Sequence, residues 1–179
     1  MRAWVPLLLV LACAGNAAAQ DSMEMRYLAR QGGVALGINP LTFSARKAFY
    51  EARGFTAAAI SPYAEACGFS FGMQNATDRT IRTSLSDWHA VGADGARFAF
   101  TLSETWDTQW EKAGVPMAAR IAFKWAQFQT SNVFEPGDWI MGMATLKSEP
   151  KPPFRLVARY HDNKGDHEIV FEKQECAHD

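Results

Sequence analysis

From Cys67 onward the chain alternates apolar and polar or small side chains almost residue by residue, and that period of two limits the fold more than any other feature. Cys67, Phe69, Phe71 and Met73 interleave with Gly68, Ser70, Gly72 and Gln74; Ala96, Phe98, Phe100 and Leu102 interleave with Arg97, Ala99 and Thr101. The same rhythm recurs at Ile81–Leu85, Ile121–Trp125, Trp139–Met143, Phe154–Tyr160 and Ile169–Phe171. Turn-forming residues separate these seven segments: Thr77-Asp78, Asp94-Gly95, Pro136-Gly137, the prolines of 150–153 and Asn163-Lys164-Gly165. Half-buried strands at this spacing predict a mainly β protein, a single antiparallel sandwich or barrel of about seven strands. One helix interrupts it, with Ser103 capping 104–113 and Trp106 and Trp110 one turn apart on one face.

The residues before Cys67 read differently. Arg2, an apolar run over 3–14 and Ala17-Ala18-Ala19 have the three-part form of a secretory signal over residues 1–19. Its apolar run is short of the roughly 20 residues a membrane-spanning helix needs. Val10-Leu11-Ala12-Cys13 loosely resembles a lipidation site, with Leu11 out of keeping and the alanine site competing. Residues 20–38, with Gly32-Gly33 and Gly37, read as a flexible lead. Asn39-Pro40 reads as a helix start, and Leu41, Ala45, Ala48, Phe49 and Ala52 share one helical face before Gly54. With a shorter helix after Ser61-Pro62, residues 39–66 form a helical arm packed on the sandwich of 67–179 as one domain.

Signal cleavage removes Arg2 and leaves 17 basic against 19 acidic side chains, with no long run of either sign. Nucleic acid and anionic membrane are therefore poor partners. Cys67 and Cys176 remain, and an even pair in an oxidising compartment predicts a disulfide. Between residues 154–161 and 166–173 the sequence predicts a hairpin. Its register sets Ala158 against Ile169, Leu156 against Phe171, Arg159 against Glu168 and Arg155 against Glu172.

Chemistry is thinly marked. Gly68-Phe69-Ser70-Phe71-Gly72 matches the spacing of a serine-hydrolase elbow. An elbow needs a strand that ends at the serine and a helix that begins after it, whereas alternation runs straight through Ser70. The serine therefore reads as a strand residue whose glycine-lined face accepts something packed close. His161 and His167 flank a turn without a third ligand at zinc spacing and read as surface histidines. Asn75-Ala76-Thr77 is a glycosylation sequon at an expected exposed turn.

Trp139, Met141 and Met143 share a strand face and present two thioethers, the ligand type that suits Cu(I). The trio is similar in ligand types to small periplasmic copper-handling proteins that add a histidine. Ile140, Gly142 and Ala144 on the opposite face favour a strand buried on both sides, with the methionines as core filling. The reading that follows is a secreted or periplasmic, non-catalytic binding module for a protein or small ligand, with no cofactor. Trp88, Trp106 and Trp110 are its candidate contact residues. The alternatives are a periplasmic copper-handling protein and a small serine hydrolase built on Ser70.

Overall fold

The computed structural model describes residues 25–179; the signal segment, the lipidation motif and residues 20–24 lie outside the described residues. Ten strands form one antiparallel sheet, and four helices accompany it. In chain order the elements are β1 (Tyr27–Gln31), β2 (Val34–Leu41), α1 (Phe43–Glu51), α2 (Ala57–Glu65), β3 (Gly68–Asn75), β4 (Ile81–Ser84), β5 (His89–Val91) and β6 (Arg97–Thr101). They continue with α3 (Ser103–Lys112), α4 (Met117–Ala126), β7 (Ser131–Phe134), β8 (Trp139–Leu146), β9 (Phe154–Asp162) and β10 (Gly165–Gln174). The strand order is β1-β2-β3-β8-β6-β5-β9-β4-β7, with β10 on β9, and the sheet is not closed.

Strand β6 is the seam. Its Phe100 and Thr101 pair with β8, and its Arg97–Ala99 stretch pairs with β5. The sheet curls about this seam, so that Leu36, Phe69, Phe71 and Leu146 from one half share a core with Leu156, Ala158, Ile169 and Phe171 from the other. Burial of these side chains is the main driving force for the curl. The Cys67–Cys176 disulfide forms inside this core, with Cα atoms 5.3 Å apart. No helix among the described residues is long and apolar enough to cross a membrane.

The lead expected to be flexible is instead a hairpin. Gln31 pairs with Val34 across a two-residue turn, and Gly32 and Gly33 both have positive φ, at 57° and 87°. That geometry is the mirror-image turn whose twist matches the strands it joins, and glycine enters it without a side-chain clash. Asn39 and Pro40 end β2 rather than begin a helix; the cap of α1 is Thr42, whose hydroxyl accepts from the Ala45 amide. Helix α2 begins earlier than its proline suggested: Thr56 caps it, and Pro62 lies inside it.

Where the alternation of Ile121–Trp125 predicts a strand, the chain instead forms the helix α4. Read at helical spacing, Ala119 and Phe123 are the buried face, against a helical core that includes Tyr50, Tyr63, Trp106 and Trp110. Ile121 and Trp125 fall on the other side. This helical layer covers one end of the sheet's outer face, where Met143 and Thr145 of β8 meet it.

The β9–β10 register is the expected one from Asp162–Gly165 through Leu156–Phe171. Arg159 donates to Glu168 as predicted. Arg155 and Glu172 form no ion pair among the described residues, because the ladder shifts between Phe171 and Gln174, where Lys173 takes a φ of 54°. A bulge there re-aims the side chains beyond it.

Candidate functional site

Ser70 lies in the middle of β3, paired with Asn39 of β2 on one side and Met143 of β8 on the other. The strand continues to Asn75 and no helix follows the serine, so the elbow geometry is not formed. What packs on this face is Arg46 of α1. A Cβ at Gly68 would collide with its guanidinium, so the glycine makes the room. Arg46 is buried, its pKa pulled down by loss of solvation, and it donates to the Leu41, Ala64 and Ala66 carbonyls. The guanidinium thereby satisfies the C-terminal carbonyls of α2 that have no helical partner.

The tryptophans nominated as a contact face are internal. The Trp88 indole donates to Thr83 Oγ1 and the Arg159 carbonyl from within the sheet core. Trp106 and Trp110 stack with centroids 5.7 Å apart in the helical core, donating to Thr145 Oγ1 and the Ala59 carbonyl. Large amphipathic rings of this kind are buried where their N–H finds a partner, and each of the three does.

The exposed apolar residues are elsewhere. Along α4, Met117 (71% exposed), Ile121 (50%) and Trp125 (81%) follow one another at i, i+4 and i+8, a continuous ridge on the solvent face. On β8, Trp139 (60%) and Met141 (50%) face outward, contrary to the expected burial on both sides. The reason lies in the sheet. Helices cover the outer face only as far as Met143, while Gly142 on the inner face lies so close to the Phe128 backbone that a Cβ would not fit. Where α4 ends, the chain joins the edge of the covered part of β8. Gln127 bridges Met143 in parallel, and the Phe128 amide donates to the Met143 carbonyl at 2.9 Å.

In the sequence the ridge is masked by the strand-like alternation of Ile121, Phe123 and Trp125. The signal was present: Pro116 followed by an alanine-rich run with two apolar stripes at helical spacing, one buried and one exposed.

The hairpin histidines sit on a shallow polar groove of about 480 Å³ lined by Asp87, Arg159, His161, Asp166, His167 and Glu168. His167 Nε2 is 2.8 Å from Asp162, and its ring stacks on Tyr160 at 4.7 Å. His161 Nδ1 is 2.6 Å from Asp166, while its Nε2 faces Asp87 at 4.0 Å. Since the two carboxylates meet opposite edges of one ring, the three groups do not converge on a point. No cluster of three His, Cys, Asp or Glu suited to a metal occurs among the described residues. The hydrogen bond from His167, backed by the Lys164 amide and Arg79, holds the Asp162 carboxyl far below the usual range.

The sequon is also reassigned. Asn75 is buried, and its Nδ2 donates to the Arg79 and Phe134 carbonyls at 2.6 and 3.1 Å, which commits the nitrogen a glycan would need.

No protein-family model matches the chain, and no curated protein matches it. Among solved structures, the fold is similar to the crystal structure of the yjhA protein from Bacillus subtilis, with a TM-score of 0.47 and 9% identity over 84% of this chain and 98% of that one.

Proposed function

We propose that the chain is a secreted or periplasmic binding protein that engages a protein partner through the Met117–Ile121–Trp125 ridge of α4. In this reading the curled sheet acts as a two-layered sandwich, a rigid base for the ridge. The observation that carries it is three large apolar side chains held in water on one helix face. Exposure of that kind costs free energy, and contiguous exposed apolar surface marks interaction sites. The ridge is convex, which suits the hydrophobic groove of another protein, read as i, i+4, i+8 anchors. Small ligands favour concave sites. Secretion rests on the signal-like residues 1–19, and the ridge needs no catalytic group to act.

The test is affinity capture from the envelope and culture fractions of the native host, with mature wild type beside a Met117→Lys/Trp125→Lys variant. Val133→Lys, on the exposed apolar residue of β7, is the control. A partner held by wild type and the control but lost by the ridge variant supports the proposal. A capture profile unchanged by the ridge variant overturns it.

A further inference from the structure

The ridge does not stand alone on the surface of α4. Beside Met117, Ile121 and Trp125 runs a second row at the same i, i+4 spacing, made of Ala118, Ala122 and Ala126. Ala118 is exposed and the other two are half-buried, so this row is a shallow trough lying next to the ridge. The opposite flank is closed differently. Arg120 Nε is 2.7 Å from Asp107 and its Nη1 is 3.1 Å from Glu111, both on α3, and Lys124 stands exposed one turn further on. An occupant seated on that flank would strip water from these charges, whereas one leaning over the alanines meets methyl groups.

A row of large apolar side chains and a matching row of small ones therefore lie side by side on one helix, and a surface of that kind can pair with itself. Rows at i±4 on one helix pack between the i±4 rows of a facing helix at a crossing angle of about −50°, and small residues in the groove let the two axes approach closely. We propose that α4 pairs with α4 of a second copy of this chain, each ridge seated in the other copy's alanine trough about a twofold axis running along the ridges. The contact is isologous, so the ridge of one copy meets the trough of the other and the reverse. This inference rests on the ridge being a protein interface and names the partner. A foreign groove requires only the ridge; the alanine row matters to an occupant with a ridge of the same spacing, and this chain carries one. The ridge offers apolar surface on the order of 400 Å², about half the roughly 800 Å² per partner of a standard interface. The dimer is accordingly weak and forms reversibly with concentration.

The experiment is sedimentation equilibrium of the mature protein from roughly 10 µM to 1 mM, alongside Trp125→Lys, Ala122→Phe and the control Val133→Lys. Trp125 is 81% exposed, so its replacement leaves the fold intact, and far-ultraviolet circular dichroism checks every variant. We expect the weight-average mass of wild type and of Val133→Lys to climb from one copy toward two. The dimer Kd should rise roughly tenfold or more in both α4 variants. Ala122→Phe separates shape from stickiness, because it adds apolar surface yet fills the trough. Self-association that Ala122→Phe strengthens, or that Trp125→Lys retains, overturns the inference. So does a wild type that stays monomeric over the whole range. A monomer that still captures a ridge-dependent partner from the host fractions refutes the second copy alone; the ridge fails as a protein interface only when that capture is absent too.

Discussion

At the scale of single residues, Gly68 and Ser70 of the elbow-like motif sit in different surroundings. Gly68 is hard to replace because Arg46 occupies the space above it, whereas Ser70 is a mid-strand residue paired with Asn39 and Met143. Gly68→Ala should displace a buried cation from three carbonyls and cost about 2–4 kcal/mol in urea unfolding. Ser70→Ala should change stability by less than about 1 kcal/mol and leave any biological activity intact. Asp162 adds a pH signature. Its folded pKa is depressed, chiefly by His167, so its contribution is complete above the unfolded value of about 3.9 and is lost as pH falls through the folded one. The gap in urea midpoint between wild type and Asp162→Asn should therefore be widest near neutrality and narrow below about pH 4.

At the scale of elements, what could be read in advance followed the regularity of side-chain spacing. The β9–β10 register was legible because apolar residues on one face and Arg159–Glu168 on the other favour the same alignment. Legibility stopped at the bulge, since no residue before Lys173 announces a left-handed backbone. Glycines misled in the lead: Gly32 and Gly33 build a tight hairpin turn, and Gly37 accommodates Met25, yet each reads locally as looseness. In α4 a three-residue sample of alternating Ile121, Phe123 and Trp125 imitated a strand, and the i, i+4 pairing of Ala119 with Phe123 was outvoted. The candidate site fared worse than the fold. Tryptophan count suggested a contact face, but a ring's partner decides where it goes, and the partners of Trp88, Trp106 and Trp110 are carbonyls and hydroxyls brought in from distant positions.

At the scale of the whole molecule, the hydrogen-bonded path between the two halves of the sheet runs through the pairs Phe100–Leu146 and Thr101–Thr145. The disulfide joins the same halves by another route, from the residue before β3 to the tail after β10. Intact-mass measurement of mature protein should show two protons missing relative to the reduced form. The Cys67→Ala/Cys176→Ala variant should lose up to about 4–5 kcal/mol, the chain-entropy value for a loop with a separation of 109 residues.

That cross-link also turns a linear chain into a ring with an appendage. Strands β3 to β10 and helices α3 and α4 lie within the ring, while β1, β2, α1 and α2 hang outside it. A backbone break at any one point between Cys67 and Cys176, the 92–96 turn for instance, leaves the ridge and both halves of the sheet on one covalent molecule. A break in the appendage separates β1 from the covalent ring and leaves Met117, Ile121 and Trp125 where they were. The ridge thus keeps its covalent frame whether or not the appendage stays attached.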